Sequence, residues 1–427
     1  MLLIENTKEK ASMNSKFDSL LANSVFLFCL FPYITFIETG SDVQPYSLML
    51  ATIFLLYLVV KNNYIKSFKP SILLWLPIIY SLITLNESLS FIAWLRSFYG
   101  YVTIPILCLA AYNSFPLIKG KLLNFSIKIW FLVSLIQRFV YKLFGNFLVA
   151  RISTSTDRGV TSLAVEPSAF ANICLFILLL NDLFYYSKKI SKKAYILNML
   201  LLIIQFFLAS SAMGYLLLIV YLLTKIFIKN GIKARVIQMV VIFLSLLSLH
   251  FVRNNLYLLP TNRVTSILFR LNENWKEIFF TDQSISDRLA HILISSKSLF
   301  SRYGLGYGLG TWSKEAYGII NDSGTFIQRL VSTNFTSGRI MSGWGTILFE
   351  VGIISLSIIF WYGSIFFRGV TSLTKKGKDI LFVAFISITF TMTLSVTIAF
   401  PLFSYILGFY AYIINDHRIK LPEELSL

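Results

Sequence analysis

Residues 165–186 read VEPSAFANICLFILLLNDLFYY, and the seven that follow, SKKISKK, carry four lysines. Within the longer run only Glu166 and Asp182 are charged. A helix of this length covers about 33 Å at 1.5 Å per residue, enough for a hydrocarbon core of about 30 Å. Its apolar residues occupy the whole circumference rather than one stripe, so no face is suited to water. Lysines gather on the cytoplasmic side of such segments. The stretch therefore predicts a membrane-spanning helix with its C-terminal end at the cytoplasm, and the rest of the chain repeats the pattern.

Eleven further apolar runs lie near 19–37, 44–60, 70–85, 97–113, 123–142, 194–210, 213–228, 236–252, 341–366, 379–395 and 400–415. Composition agrees: of 427 residues 56% are hydrophobic, 16% aromatic and only 14% charged, with a mean hydropathy of +0.71. A soluble protein carries about 25% charged residues. A soluble enzyme, a disordered chain and a disulfide-stapled secreted domain are thereby excluded. Cys29, Cys108 and Cys174 each sit inside an apolar run without CxxC spacing and are expected as reduced core residues. The expected fold is an all-α polytopic membrane protein with about twelve transmembrane helices.

The net charge of +18 comes from 38 basic and 20 acidic residues and is assigned to cytoplasmic loops, so nucleic acid is not expected as a partner. Lysines cluster before the first span and after the second, fourth, sixth, eighth and tenth, all on one side when both termini are cytoplasmic. The short loops 38–42 and 86–90 between them carry acids and no lysine. The polar start through Lys16 is expected to act as an uncleaved signal anchor, since no cleavage site follows the first apolar run. One connection is out of scale: 253–340, 88 residues on the outer side between the ninth and tenth spans. The chain divides accordingly into spans one to nine (1–252), a large outer loop with short amphipathic helices (253–340), and the last three spans with a cytoplasmic tail (341–427). Within the loop, Ser284-Ile285-Ser286-Asp287 reads as the start of a helix, with Leu289, Ile292, Leu293 and Phe300 following at helical spacing.

The two basic residue types segregate. Under this topology only four of twenty-four lysines lie outside, but eleven of fourteen arginines do, among them Arg96, Arg138, Arg151, Arg158, Arg288 and Arg339. The positive-inside preference acts on both types alike and leaves the outer arginines unexplained. A guanidinium presents a planar fork matched to phosphate and carboxylate. As a set they predict an outer site for an anionic ligand, although pairing with an acid or a lipid headgroup would account for any single one. Arg96 and Arg138 stand at the rims of apolar runs, where a charge either faces a cavity or snorkels to the headgroups. His291 shares a helical face with Asp287 and Arg288 and is either a base or a structural histidine. No HExxH, DxD or Cys/His cluster appears, so neither a metal nor another cofactor is expected. Gly304, Gly306, Gly308 and Gly310 lack GxGxxG spacing, and no strand–helix unit surrounds them to bind a nucleotide.

At the start of the sixth span the chain reads Arg158-Gly-Val-Thr-Ser-Leu-Ala-Val-Glu166-Pro167-Ser168-Ala-Phe-Ala171. Pro167 suits the first helical position, and an acid beside it complements the helix dipole, so Glu166 can serve simply as a cap. The same stretch resembles the arginine-then-EPS-then-small-residue pattern of bacterial oligosaccharide repeat-unit polymerases, the O-antigen (Wzy-type) polymerase family, which is related to the O-antigen ligases. Three more segments are similar to that family's and stand in the same order: Ser210-Ser211-Ala212-Met213-Gly214-Tyr215; Ser286-Asp287-Arg288 with the glycine-rich Gly304–Gly310; and Trp344 through Glu350 to Gly352. The resemblance spans roughly 96–356. Ligases usually carry a His-Asn pair before the helix that follows the loop, whereas this chain has Ser342-Gly343, which argues against the ligase branch.

The resemblance implies a GT-C-like membrane glycosyltransferase architecture, multi-pass in the bacterial inner membrane. Such an enzyme transfers a growing glycan from polyprenyl pyrophosphate to the terminal sugar of a lipid-linked repeat unit on the outer face, without a metal. Arg158 and Arg288, then Arg151 and Arg339, are the candidates for the pyrophosphate, and Glu166, then His291, for the acceptor hydroxyl. The implied partners are the polyprenyl-pyrophosphate-linked oligosaccharide and the lipid bilayer, with a chain-length regulator and a flippase. The alternatives are an O-antigen ligase, which uses the same donor with a lipid A-core acceptor, and a polysaccharide flippase or other transporter. Sparse charge within the spans, the absence of an internal repeat and the size of the loop argue against transport.

Overall fold

The computed structural model describes residues 2–37, 41–62, 65–66, 71–84, 91–152, 159–229, 231, 234–236, 238–241, 277–331, 335 and 340–415. Among them every extended element is a helix and no strand forms, apart from one backbone bridge between Ile34 and Val149. The first eight helices are α1 (Leu2–Leu30), α2 (Tyr46–Asn62), α3 (Leu76–Ile83), α4 (Phe91–Ser114), α5 (Gly120–Phe139), α6 (Pro167–Tyr186), α7 (Lys192–Ala209) and α8 (Ala212–Phe227). The large connection contributes α9 (Ile278–Thr281), α10 (Gln283–Ser301), α11 (Trp312–Asn321) and α12 (Thr325–Leu330). Then come α13 (Gly343–Val351), α14 (Leu356–Ser372), α15 (Lys375–Leu394) and α16 (Pro401–Asn415).

Six helical stretches among the described residues are long and apolar enough to cross a membrane: 91–117, 120–139, 167–186, 192–209, 343–372 and 375–394. Shorter apolar helices stand at 46–61, 71–83, 212–227 and 401–415. The exterior is apolar as well, with Val60, Ile83 and Phe139 exposed by 82%, 75% and 75%. A continuous coat of such side chains suits lipid and not water. The chain is a helical membrane protein. The ninth span expected from the sequence, 236–252, lies mostly outside the described residues.

Several boundaries differ from the hydropathy pattern, each for a local reason. The first span stops at Leu30 rather than near 37, because Pro32 cannot donate the next helical hydrogen bond and the chain turns there. The third is a 3₁₀ turn (Ser71–Trp75) running into α3, about 22 Å long in all. The tenth runs on to Ser372 but breaks at Gly352, whose φ of +59° ends α13 before a 3₁₀ turn leads into α14. The cap of helix α10 lies two residues before Ser284, at Asp282, whose carboxylate accepts from the amides of Ser284 (3.0 Å) and Ile285 (3.1 Å). A carboxylate at the positive end of the helix dipole is the stronger cap.

Helix α6 is the central post, buried along nearly its whole length among α5, α7, α8 and α15. Near its C-terminal end the Asp182 side chain, 4% exposed, meets Lys225 Nζ at 2.8 Å and accepts from the Tyr195 (2.8 Å) and Tyr221 (2.7 Å) hydroxyls, which ties α6 to α7 and α8. Helix α4 packs tightly on α16, where a Cβ at Gly408 would lie 2.3 Å from the Cys108 carbonyl oxygen. Small residues at such crossings let the backbones touch. The connections sort by end. Lys61 bonds Asp18 at 2.6 Å, Lys189 bonds the Ile118 carbonyl at 2.9 Å, and the Tyr186 and Thr374 hydroxyls lie 3.1 Å apart. The lysine-bearing connections therefore share one end of the bundle, as their alternation in sequence requires. At the other end the large connection builds a small core of its own, with Ala290, Ile294, Trp312, Ile319 and Phe335 packed around Phe349 of α13.

Candidate functional site

At the end opposite the lysines a cavity of about 500 Å³ opens between segments distant in sequence. Its wall is made by Ser41, Val43 and Pro45, residues of the first turns of α4 between Ala93 and Gly100, Gly310, Trp312, Ser313 and Ile340 of the large connection, Thr346 and Glu350 of α13, and Thr397 to Ala399 before α16. Arg96 stands on this wall, exposed, and makes no hydrogen bond or ion pair among the described residues.

Among the described residues Glu350 is the one carboxylate on the wall, and it is 3% exposed. Its Oε1 accepts from the Ser97 hydroxyl (2.7 Å) and from the Gly310 amide (3.1 Å). Its Oε2 is buried against the equally buried hydroxyl of Tyr101. Local sequence sets this position at both ends of α13. Ser342 caps the start, accepting from the Gly345 amide at 2.9 Å, and Gly352 ends it. Against that end lies the glycine-rich turn, whose Tyr307 and Gly308 amides donate to the carbonyls of Phe349 (2.9 Å) and Glu350 (3.1 Å). The glycines are required by contact: a Cβ at Gly306 would fall 2.2 Å from the Glu350 carbonyl oxygen. Gly310, at φ +70°, also lies so close to Ala93 that a Cβ would come within 2.7 Å of its carbonyl carbon. Two segments that the sequence sets forty residues apart, the glycine-rich turn and Trp344–Gly352, thus form one unit on the cavity wall.

The other two motif segments meet at the start of α6. Gly159 and Val160 lie on the end of α7, with the Val160 amide bonded to the Leu208 carbonyl at 3.1 Å. Ser210, at φ +44°, ends α7, and Ser211 caps α8 by accepting from the Gly214 amide. Glu166 occupies the N-cap position of α6 with Pro167 behind it, but its carboxylate makes no capping bond and instead accepts from the Ser168 hydroxyl. Its charge is felt by Tyr33 and by Arg151. Arg151 is gripped by Asp42 through both fork nitrogens, at 2.6 and 2.8 Å. Asp42 is flanked by Ser41 and Val43 of the cavity wall, so Glu166, Arg151 and Asp42 form a charged rim beside the cavity without lining it.

His291 lies in the core of the large connection, 2% exposed, its ring 4.5 Å from Phe335 and 5.2 Å from Trp312. Its Nδ1 accepts from the Met341 amide at 3.4 Å. Burial, and then the charge of Arg288, push its pKa down to about 4, so the ring is neutral at physiological pH. Arg288 sits one turn before it on α10, half-buried and off the cavity wall. Arg158 and Arg339 lie outside the described residues. Among the described residues no three His, Cys, Asp or Glu side chains converge as metal ligands. In the sequence Arg96 stands out by its position, and Glu350 only as part of a motif. The signal for Glu350 was a lone carboxylate in the apolar run GWGTILFEVGII, which costs too much to be incidental.

No family model matches the chain, and no curated protein matches it.

Proposed function

We propose that the protein is a membrane glycan polymerase. It moves a growing chain from polyprenyl pyrophosphate to a sugar hydroxyl of a second lipid-linked repeat unit, at the outer face of the bacterial inner membrane. The observation that carries this reading is the cavity, with an open guanidinium and a buried carboxylate on one wall at the end of the bundle away from the lysines. Transfer from a pyrophosphate needs fixed positive charge at the leaving oxygens and a proton acceptor at the attacking hydroxyl, and a site of this size takes a sugar unit. The four resembling segments support it further, because they pack in pairs around that end.

In this reading the bundle has twelve spans in a GT-C-like arrangement with both termini cytoplasmic. Arg158 and Arg288 serve the pyrophosphate, with Arg151 and Arg339 as further cations. Glu166 orients the acceptor from the rim, and His291 holds the large connection in shape. A chain-length regulator and a flippase are the protein partners. Deletion of the gene followed by size separation of surface lipopolysaccharide tests the reading. The expected result is core carrying a single repeat unit. Bare core would point to a ligase or a flippase and overturn it.

A further inference from the structure

We propose that the end of α10 and the turn after it, through Phe300, Tyr303 and Leu305, anchor the large connection in the bilayer surface at the end of the bundle away from the lysines. The partner is lipid, met where hydrocarbon gives way to headgroups, and the inference stands apart from the polymerase reading. The three side chains are exposed by 83%, 99% and 56%. Among the described residues they join neither the core of the large connection nor that of the bundle.

A backbone bond sets their depth. The Ile353 amide donates to the Gly304 carbonyl at 2.7 Å, which pins the turn to the 3₁₀ turn ahead of α14. Helix α14 has seventeen residues and ends at Ser372, three residues before Lys375. At about 1.5 Å per α-helical residue and 2.0 Å per 3₁₀ residue, Ile353 stands at most about 31 Å from that end, close to the 30 Å of a hydrocarbon core. The exposed residues that follow the turn, Ile353, Leu356, Ile359 and Phe360, are all apolar. The patch therefore continues the lipid-facing coat up to the membrane boundary.

The backbone of the turn gives an independent sign. Tyr303 lies at φ +53°, and the Gly304 amide closes the helix end on the Leu299 carbonyl at 2.7 Å. At this position a glycine takes the left-handed conformation without strain, and a bulky residue does not. The reason for a tyrosine thus lies in its side chain and not in the turn. A ring with an apolar body and a hydroxyl suits the headgroup boundary, and Phe300 and Leu305 suit the hydrocarbon beside it. Further along the same turn, Tyr307 and Gly308 bond α13 and Gly310 lies on the cavity wall, so the anchor holds that wall level with the membrane surface.

The test uses full-length protein in nanodiscs of phosphatidylcholine and phosphatidylglycerol, with a nitroxide attached through Phe300→Cys or Tyr303→Cys. Cys29, Cys108 and Cys174 are fully buried, so the label goes to the new thiol. Each variant leaves the other aromatic side chain in place. Phe360→Cys on the apolar exterior of α14 and Lys314→Cys on the exposed face of α11 serve as references for lipid and for water. Collisions with oxygen, which concentrates in lipid, are compared with collisions with a water-soluble nickel chelate. At 300 and 303 oxygen collisions should exceed chelate collisions, as at 360, and the order should reverse at 314. Labels at 300 and 303 that match 314 would overturn the anchor. In a Tyr303→Gly background, where the turn keeps its geometry, the label at 300 should move toward water, and no movement would overturn the part assigned to Tyr303.

Discussion

Acid should loosen the large connection before it affects the membrane helices, and His291 sets the window. In the folded loop the ring is buried against Phe335 and Trp312, and its Nδ1 is committed as an acceptor to the Met341 amide. Protonation would turn that acceptor into a donor facing a donor, beside the charge of Arg288. The folded pKa is accordingly about 4, against 6.5 for a free imidazole. The opened loop therefore binds a proton between pH 6.5 and 4 that the closed loop does not. The stabilisation is fully present above pH 6.5, declines as pH falls, and is gone below about 4. A shift of about 2.5 units corresponds to about 3 kcal/mol, or a roughly 300-fold rise in the open fraction. Hydrogen exchange of the α10 and α11 amides at pH 7 and pH 4.5, corrected for intrinsic rates, reads this opening directly. In a His291→Leu variant the pH dependence of protection should flatten. Equal pH dependence in wild type and variant, or undiminished protection of α10 in wild type at pH 4.5, would refute the reasoning.

Gly306→Ala forces a methyl group to within 2.2 Å of the Glu350 carbonyl, which lifts the glycine-rich turn from α13. It should destabilise by about 1–3 kcal/mol and cut glycan extension at least tenfold, so an unchanged melting temperature and rate would contradict the docking described. Lys225→Met leaves the buried Asp182 carboxylate without its cation, held only by the Tyr195 and Tyr221 hydroxyls, and should cost about 3 kcal/mol in thermal unfolding. Adding Asp182→Asn should restore most of that loss, and a double variant as unstable as the single would show that the pair does not act as one. Glu166→Gln removes a charge from the rim while keeping an acceptor for Ser168. Acceptor KM should rise by roughly 10–100-fold with kcat nearly unchanged, and a loss confined to kcat would move Glu166 into the chemistry itself.

The spans are legible in the sequence because an apolar run long enough to cross lipid needs no partner to declare itself. Their ends are less legible, because averaged hydropathy does not register single residues such as Pro32, or Gly352 within 341–366, whose positive φ breaks a helix the apolar pattern carries straight through. The start of α10 differs from the Ser284 expected in sequence because the bonds that the Asp282 carboxylate accepts, which no spacing shows, set the cap two residues earlier. At the site, Arg96 stands out by the cost of a charge beside an apolar run. What surrounds Glu350 does not, since its hydrogen bond from Ser97 joins residues 253 apart and no spacing carries it. Arg151 is found with Asp42, 109 residues away, so its arginine fork was visible in sequence and its partner was not. His291 shares a face with Arg288 in either case, but its neutrality comes from burial against Phe335 and Trp312, which the chain brings in from elsewhere.

The most direct measurement is made on the purified protein alone, in liposomes that contain a single lipid-linked repeat unit and no other enzyme. The account predicts a ladder of lipid-linked products that differ by one repeat, with one polyprenyl pyrophosphate released for each bond formed. Substrate that remains monomeric, or that crosses the bilayer without being joined, would contradict it.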